Sequence, residues 1–329
     1  MGIQIIGTGK YLPDRVVTND DLAQIVDTSD EWITTRTGIK TRRVETEKAT
    51  WQMAACAAGE AVEDAGVAPA EIDLVICSTV TGDYLTPSTA CLVAGELGLD
   101  SPFCLDVNSA CAGFVAAVDL AQHYLAGGQY RYALVVSSEM LTKLTDFSDR
   151  GTCVLFGDGA GAVVLRAADG LYESFAGSDP SGGRHLFARG VAPASPFRQQ
   201  PFDPLGDGWG PSAGHALHMN GREVYKFSTR VLPLCVKTVC ERAGLPLEQL
   251  DWVFPHQANR RILETAAQNL GLPFERFYLN IDRYGNMSSA CIPICLAEAS
   301  REGLLKRGDK ICLVGFGGGL VYAGCLLEW

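Results

Sequence analysis

Long hydrophobic runs, a basic N-terminus and an excess of positive charge are all absent from this sequence. No apolar run reaches about 18 residues, so no transmembrane helix is expected. The N-terminus, MGIQIIGTGKYLPDR, lacks the basic start and apolar stretch of a signal peptide, which predicts a cytoplasmic location. With 27 Lys and Arg against 38 Asp and Glu, the net charge is −11, which argues against nucleic acid as a partner. An anionic ligand would need a local basic patch.

Cysteine is plentiful, but the spacings that bind metal are missing. The chain has 12 cysteines and no C-x-x-C motif, and its closest pairs, Cys235/Cys240 and Cys291/Cys295, have no histidine nearby. We therefore expect no metal site. Because no secretion signal is evident, the cysteines are predicted to be reduced thiols, most of them small buried residues. No GxxxxGK[ST] motif occurs either, so no nucleotide P-loop is expected.

The sequence repeats itself at long range. VEDAGVAPAEIDLVI, residues 62–76, aligns with CERAGLPLEQLDWVF, residues 240–254, at an offset of 178. Further on, the Ser-Ala-Cys triplet at 109–111 aligns with the triplet at 289–291, at an offset of 180. Two matches in the same order at nearly the same offset indicate a duplicated fold.

Each half has the pattern of an α/β fold. In the first half a helical pattern ends at Gly66, and IDLVICST and FCLDV are typical of buried strands, the second leading into a helix from about Ala110. Strands alternating with helices predict parallel-rich sheets covered by helices. We therefore predict two βαβ-type halves, residues 1–170 and 171–329, packed as five α/β/α/β/α layers. A segment rich in Pro, Gly and Ser, residues 177–216, is predicted to be loop.

One cysteine stands out by its position. Cys111 lies in DVNSACAGF, where a predicted strand passes into a helix, and the N–H groups and dipole of the helix N-terminus are expected to favour its thiolate. Its small neighbours, Ala110, Ala112 and Gly113, leave room for an incoming thioester. The position alone also fits a packed core cysteine, so both interpretations stay open on this motif.

Polar residues follow predicted strands and turns of the second half. His256, in FPHQANRRI, lies at the carboxyl end of the predicted strand LDWVF, and ligands of α/β proteins bind at such strand ends. In the duplication it falls near the position of Ser78. Asn286, in RYGNMSSA, precedes the counterpart of the Cys111 helix. A structural histidine and an ordinary Gly-Asn turn are the alternatives. The glycines of GFGGGL, residues 315–320, form either a tight turn or a backbone donor site for a substrate oxygen.

Together these motifs resemble the β-ketoacyl-acyl-carrier-protein synthase III family, condensing enzymes of the thiolase superfamily. DEWITTRTGI, DVNSACAGF, DRGTCVLFGDGAGAVVL, PHQANRRI, RYGNMSSA and GFGGGL follow the family's order over essentially the whole chain. The resemblance implies the thiolase fold, with Cys111 as acyl-accepting nucleophile and His256 and Asn286 completing a Cys-His-Asn set. It also implies an oxyanion hole formed by the backbone N–H groups of Cys111 and Gly318.

The resemblance also implies where the substrates bind. The coenzyme A nucleotide would be bound by stacking and phosphate pairing at Trp32, Arg36 and Arg150. Asn259 matches the position that binds the pantetheine arm. The acidic carrier protein would dock near the tunnel mouth, at the positions of Lys226 and Arg261. Thr86 matches a position at the end of the acyl pocket that the other subunit of the dimer contributes. The sequence departs from some relatives at residues 268–269, where Gln-Asn replaces paired lysines, which weakens the docking inference.

The implied reaction is the decarboxylative condensation of a short acyl-CoA, acetyl-CoA or a similar starter, with malonyl-acyl-carrier protein. The product would be a β-ketoacyl-acyl-carrier protein, which initiates fatty acid synthesis, and the enzyme would be a homodimer without a cofactor. The alternative is a specialised acyltransferase or polyketide-priming enzyme of secondary metabolism. A thiolase would need a second cysteine at the position of Gly315, so this glycine argues against a thiolase. Retention of His256 and Asn286 favours condensation over simple acyl transfer.

Overall fold

The computed structural model of the chain describes residues 2–191, 196–197 and 215–329. In the first half the elements are β1 Gly2–Tyr11, β2 Arg15–Thr18, α1 Asn19–Ala23, α2 Asp30–Thr37, β3 Thr41–Val44, α3 Thr50–Ala65, β4 Leu74–Ser78, α4 Thr89–Glu96, β5 Phe103–Val107, α5 Gly113–Ala126, β6 Tyr132–Met140 and β7 Asp158–Ala168. In the second half they are β8 Tyr172–Ser178, β9 Leu186–Phe187, β10 His218–Met219, α6 Gly221–Arg242, β11 Trp252–Pro255, α7 Arg260–Leu270, α8 Ile281–Tyr284, α9 Cys291–Arg301, β12 Lys310–Gly317 and β13 Val321–Glu328. Of the predicted loop at 177–216, residues 192–195 and 198–214 lie outside the described residues.

The two large sheets share one strand order. The first runs β1-β7-β6-β4-β5 and the second β8-β13-β12-β11, so β8, β13, β12 and β11 take the places of β1, β7, β6 and β4. The duplication inferred from the sequence is therefore present in the topology. The proposed division between residues 170 and 171 falls in the connection from β7 to β8.

The sheets are less parallel than predicted. β4 is parallel to both β5 and β6, and β11 is parallel to β12. However, β1 and β6 pair antiparallel with β7, and β8 and β12 pair antiparallel with β13. The turn from β12 to β13, residues 318–320, is too short for a helical crossover, so the chain returns antiparallel. The prediction of parallel-rich sheets is wrong for this side of each sheet.

The second sequence match, between the Ser-Ala-Cys triplets, differs by two residues from the correspondence that the structure shows. Ala110 and Ser288 both have a positive φ, 43° and 49°, and each opens a short 3-10 turn that leads into a helix, α5 or α9. These helices begin 178 positions apart, which is the offset of the first match. Cys111 therefore corresponds to Ser289. The two turns pack against each other, and both are built from small residues.

Helices cover both outer faces and fill the space between the sheets. α3 and α4 share one apolar cluster with the outer face of the first sheet, and α6 and α7 share another with the second. α5 and α9 lie between the sheets and pack with residues of both. This is the predicted five-layered arrangement. Within the described part of the chain, no helix combines the length and apolar character that crossing a membrane requires.

A buried carboxylate joins the two halves. Glu298 on α9 is 4% exposed and accepts hydrogen bonds from Lys10 Nζ of β1 at 2.6 Å and from the Tyr284 hydroxyl at 2.7 Å. Asn280 Nδ2 and Arg283 Nη2 also donate to it, at 3.1 and 3.0 Å. Burial alone would raise the pKa of Glu298, but these donors hold it below its usual value. The charged form is therefore favoured in the folded state.

We expect Glu298→Ala to lower the free energy of unfolding by about 3 kcal/mol, because it removes the buried acceptor of four hydrogen bonds and leaves the partly buried Lys10 without its partner. Urea denaturation measures this, with Glu264→Ala, which breaks only an exposed pair with Arg260, as the control. Since folding depresses the carboxylate pKa, the stabilisation is present above the unfolded pKa and is lost as the pH falls. Equal stability of the two variants would contradict the role of this network.

Candidate active site

Cys111 lies at a strand-to-helix passage, as the sequence predicted. β5 ends at Val107, the backbone turns through Ala110 in the left-handed region, and a 3-10 turn carries Cys111 into α5. The side chain is half-buried and forms part of the wall of a cavity of about 650 Å³. A thiol packed into the core would not reach such a cavity, so the core interpretation does not hold for this cysteine.

Residues from both halves line the cavity. His256 and Asn286 lie in its wall with Cys111, although they are far apart in sequence. Most of the remaining wall is apolar and comes from the segment between β6 and β7, from β9 and β10, and from the first turns of α6 and α7. The structure therefore brings together all three members of the predicted Cys-His-Asn set.

Ser288 lies beside the three side chains in the cavity wall. Its backbone N–H donates to Asn286 Oδ1 at 2.8 Å. Ser288 itself is 2% exposed and opens the 3-10 turn ahead of α9. This turn of the second half therefore fixes the Asn286 amide and lines the same cavity as Cys111 and His256.

The thiol of Cys111 is protonated at neutral pH. Burial and the negative charge of Glu139 raise its pKa to about 12, against the opposing hydrogen bonds of Ser288 and of its own backbone. The expectation that the helix N-terminus would favour the thiolate is therefore wrong for the resting site. Loss of solvent around the sulfur outweighs the contribution of the helix N–H groups.

His256 is neutral. It follows β11, its backbone N–H donates to the Val314 carbonyl at 2.8 Å, and its ring packs edge-on against Phe316. Burial lowers its pKa to about 3, although the hydrogen bond with the Ser288 backbone opposes this shift. Nδ1 has no hydrogen-bond partner among the described residues. A neutral imidazole can accept a proton at one nitrogen and donate from the other.

Asn286 is held so that its amide nitrogen is left for a ligand. Its backbone N–H donates to Leu155 O at 2.9 Å, and its carbonyl accepts from Gly157 N at 3.0 Å. Gly285 before it has φ +68°, and a Cβ there would lie 2.8 Å from the same Leu155 oxygen, so only glycine fits this position. Since the N–H of Ser288 fixes Oδ1 as the acceptor, Nδ2 is the free end in the cavity wall.

The glycine-rich motif closes on Cys111. β12 ends with Gly315, Phe316 and Gly317. A Cβ at Gly317 would lie 2.6 Å from the backbone nitrogen of Cys111. Gly317 and Gly318 both line the cavity. The motif therefore runs against the backbone of the nucleophile turn. The pairing of the Gly318 and Cys111 N–H groups as an oxyanion hole stays a prediction.

The predicted coenzyme A residues meet at one surface. The guanidinium of Arg36 lies over the Trp32 ring at 4.5 Å from its centroid, and that of Arg150 at 5.4 Å, while Arg150 also pairs with Asp27. Asn259 lies in the cavity wall and caps α7, and its Nδ2 donates to the Arg36 carbonyl at 2.9 Å. Asn259 thus links this cluster to the cavity.

The three remaining predicted residues lie outside the cavity wall. Lys226 on α6 is exposed and paired with Glu223, and Arg261 is exposed in the first turn of α7. Thr86 is exposed after β4, and its neighbour Leu85, 90% exposed, lines the cavity instead. Within the described residues, Thr86 does not line the cavity of its own chain.

The sequence reasoning missed Ser288, Glu139 and Phe316. Ser288 stands inside the quoted motif RYGNMSSA but has no sequence mark that separates it from Ser289. Glu139 carried a usable signal, because a charged residue near the end of the apolar strand YALVV is unusual at a buried position. Only the fold places it close to Cys111.

Known proteins match the chain over its whole length. The family model described as 3-oxoacyl-[acyl-carrier-protein] synthase III matches residues 105–180, and the model of its C-terminal part matches residues 240–329. The β-ketoacyl-[acyl-carrier-protein] synthase III of Clostridium acetobutylicum is 46% identical over 99% of this chain and 98% of the relative. The chain belongs to the synthase III family.

Solved structures agree with this assignment. The 3-oxoacyl-[acyl-carrier-protein] synthase III of Aquifex aeolicus superposes with a TM-score of 0.90, at 41% identity over 100% of both chains. The priming β-ketosynthase of the R1128 polyketide pathway superposes equally well, with a TM-score of 0.90, at 36% identity over 99% of this chain and 96% of that one. The predicted thiolase fold and family are confirmed, and the chain is a condensing acyltransferase of fatty acid biosynthesis.

We expect Gly317→Ala to reduce acyl transfer by about 100-fold or more, because its Cβ would push against the Cys111 nitrogen. The rate of enzyme acylation measures this, with circular dichroism to verify folding. Gly95→Ala on α4, where a Cβ meets nothing within 4 Å, is the matched control. A wild-type rate in Gly317→Ala would show that the close approach of the two backbones is not needed.

Proposed function

We propose that the enzyme condenses a short acyl-CoA with malonyl-acyl-carrier protein, with Cys111, His256 and Asn286 as the catalytic residues. The observation that carries this proposal is their convergence: one thiol, one neutral imidazole and one free amide nitrogen line the same apolar cavity. The reaction uses coenzyme A thioester as substrate and no cofactor. Among the described residues, no group of three or more His, Cys, Asp or Glu side chains is placed to hold a metal ion.

In the first half-reaction, the Cys111 sulfur attacks the acyl thioester carbonyl. Because the thiol is protonated at rest, its proton must leave as the bond forms, and neutral His256 can accept it. Backbone N–H groups of Cys111 and Gly318 donate to the oxyanion. The C–S bond to coenzyme A then breaks, the proton passes to the departing thiolate, and Cys111 holds the acyl group.

In the second half-reaction, malonyl thioester loses carbon dioxide and leaves an enolate. The developing charge lies on the thioester oxygen, where an N–H of neutral His256 and Nδ2 of Asn286 can both donate. The enolate carbon attacks the acyl carbon on Cys111, the C–S bond breaks, and the Cys111 thiolate takes up a proton from solvent, because the proton of the first step left with coenzyme A.

The other predicted residues fit the substrates at the mouth of the cavity. Trp32, Arg36 and Arg150 offer an aromatic face and two cations to the nucleotide, and Asn259 lies between them and the cavity. The chain as a whole carries a charge of −11, so an acidic carrier protein needs local cations, and exposed Arg261 and Lys226 supply them. We also propose a cytoplasmic location, where free thiols stay reduced.

We propose a homodimer formed at β5. This strand is the edge of the first sheet, its side chains are only partly buried, and Phe103 is 44% exposed. An edge with unpaired N–H and C=O groups accepts a second strand. Exposed Thr86 and Leu85 lie on the segment between β4 and α4, beside β5, so the pairing of two copies can carry Thr86 to the partner's acyl pocket.

The condensation mechanism is tested by intact mass after incubation with acetyl-, isobutyryl- and hexanoyl-CoA, followed by malonyl-acyl-carrier protein. We expect an acyl adduct on the wild type and none on Cys111→Ala. In Asn286→Ala the adduct should form but discharge about 100- to 1,000-fold more slowly, because a donor to the enolate is lost. In His256→Ala both adduct formation and discharge should slow, because His256 accepts the Cys111 proton in the first step and donates to the enolate in the second. The best starter is the one that labels fastest.

The matched control is Cys56→Ala, which removes an exposed thiol far from the cavity wall and should label like the wild type. An adduct that persists with malonyl-acyl-carrier protein but transfers to another acceptor would favour the specialised acyltransferase of secondary metabolism. An adduct on Cys111→Ala would place the nucleophile elsewhere.

The dimer is tested by sedimentation. The wild type should sediment at twice the chain mass of 35.2 kDa, and Phe103→Glu should shift it toward the monomer, because it would place an unpaired carboxylate of each copy in the interface between the two edges. Phe147→Glu, an equally exposed aromatic outside β5, is the control. A dimer unchanged by Phe103→Glu would show that the interface does not include β5.

A further inference from the structure

The edge of β11, directly before His256, is completed by a side chain instead of by main chain. β11 is an edge strand of the second sheet, and the segment that follows α7 runs parallel beside it, where Tyr278 N donates to Val253 O at 3.0 Å. In a regular parallel ladder the next two bonds would run from the N–H of residue 255 to Tyr278 O and from Asn280 N to the carbonyl of residue 255. Residue 255 is proline, which has no N–H, so the first of these bonds cannot form.

The side-chain amide of Gln257 takes both places. Gln257 is 0% exposed, and its Nε2 donates to Pro255 O at 2.9 Å and to Tyr278 O at 3.1 Å. Its Oε1 accepts from Asn280 N at 3.2 Å. The amide therefore pairs Tyr278 O, which lacks a main-chain donor because of the proline, and bridges Asn280 N and Pro255 O. Buried N–H and C=O groups need partners, so a side chain that donates twice and accepts once fits this position.

These hydrogen bonds fix the backbone on both sides of His256. Towards β12, the His256 N–H donates to Val314 O at 2.8 Å. On the other side, Gln257 reaches back across His256 to the Pro255 carbonyl. The His256 carbonyl accepts from Ala258 N at 3.0 Å, which closes a tight turn after the strand. The histidine therefore stands in a turn that is tied to both neighbours of β11.

The imidazole depends on this turn for its position. Nδ1 of His256 has no hydrogen-bond partner among the described residues, so no side chain orients the ring through that nitrogen. The ring packs edge-on against Phe316, with the centroids 5.4 Å apart, and this contact supplies no hydrogen bond. A shift of the turn would therefore carry the ring away from the cavity wall that it shares with Cys111 and Asn286.

The segment that Gln257 binds is itself anchored. Asn280 is 0% exposed, and its Nδ2 donates to Glu298 Oε2 at 3.1 Å. Glu298 is the buried carboxylate that also accepts from Lys10 of the first half. The segment beside β11 is therefore held by the network that joins the two halves, and Gln257 links that network to His256.

We infer that Gln257 is a positioning residue: its amide replaces the main-chain pairing that Pro255 interrupts and thereby holds the His256 ring in place for the reaction. The inference rests on the proposed role of His256 in the condensation. Gln257 is not among the described residues that line the cavity, so it acts through its neighbour. A displacement of about 1 Å in a reacting group can lower a rate by about 100-fold. Asn286 is held by backbone hydrogen bonds of its own and should not depend on Gln257.

The first test is Gln257→Leu, which keeps the approximate size of the side chain and removes its donors and its acceptor. We expect kcat for condensation to fall about 10- to 100-fold, while calorimetry shows coenzyme A binding as in the wild type. Circular dichroism verifies folding, and Gln249→Leu, at an exposed glutamine before β11, is the matched control. A wild-type kcat in folded Gln257→Leu would overturn the inference, and so would a joint loss of kcat and of coenzyme A binding.

Double substitution shows which group Gln257 positions. In the His256→Ala background, Gln257→Leu should change the condensation rate by less than about threefold, because the imidazole that it would displace is gone. In the Asn286→Ala background it should lower the rate by the same factor as in the wild type. Equal losses in both backgrounds would contradict a role exerted through His256.

A main-chain donor at residue 255 provides a rescue. Pro255→Val restores the N–H that a regular ladder needs, so its combination with Gln257→Leu should condense more than about threefold faster than Gln257→Leu alone. No recovery in the folded double variant would show that the missing edge bonds are not the cause of the loss. If Gln257→Leu fails to fold, Gln257→Asn keeps the amide but withdraws it by about 1.5 Å, and it should lower kcat in the same direction. The proposed function is judged separately, because a wild-type condensation rate in His256→Ala would contradict it whatever Gln257 does.

Discussion

The packing of two 3-10 turns, Ala110–Ala112 and Ser288–Ala290, brings together side chains that come from distant parts of the chain. Cys111 enters from the first half, His256 follows β11, and Asn286 precedes α9, yet all three line one cavity with Ser288. The backbone at Ser288 is in the left-handed region, and its N–H donates to Asn286 Oδ1. The site therefore depends on the contact between the two halves.

Burial then determines which protonation state each group adopts. The same loss of solvent raises the pKa of the Cys111 thiol to about 12 and lowers that of His256 to about 3, so the resting pair is uncharged. An uncharged pair suits a two-step reaction. The imidazole can accept a proton while the thiol attacks, and it can donate an N–H when an enolate develops. A thiolate-imidazolium pair would begin without that acceptor.

The duplication explains why the site lies between two similar halves but is not symmetric. Equivalent 3-10 turns approach each other at the centre of the fold, one carrying Cys111 and the other carrying Ser289 at the matching position. The first half keeps the nucleophile and the buried carboxylate of Glu139. The second half supplies His256 and Asn286, and its Ser289 donates to Glu139. Divergence of the two copies thus gave one cavity different chemical groups on its two sides.

The sequence by itself determined the fold class, the duplication and the end of α3 before Gly66, because apolar periodicity and capping residues are local features, and its ordered motifs predicted the Cys-His-Asn set. Local features did not determine strand direction in the outer parts of the sheets, the register of the second repeat, or the protonation of Cys111. The helix N-terminus is visible in the sequence, but the loss of solvent around the sulfur is not, and in this site the second effect is larger. Glu139 and Ser288 reach the site only where β6 and the turn before α9 meet, because desolvation and contacts such as the Ser289–Glu139 hydrogen bond depend on neighbours more than a hundred residues away.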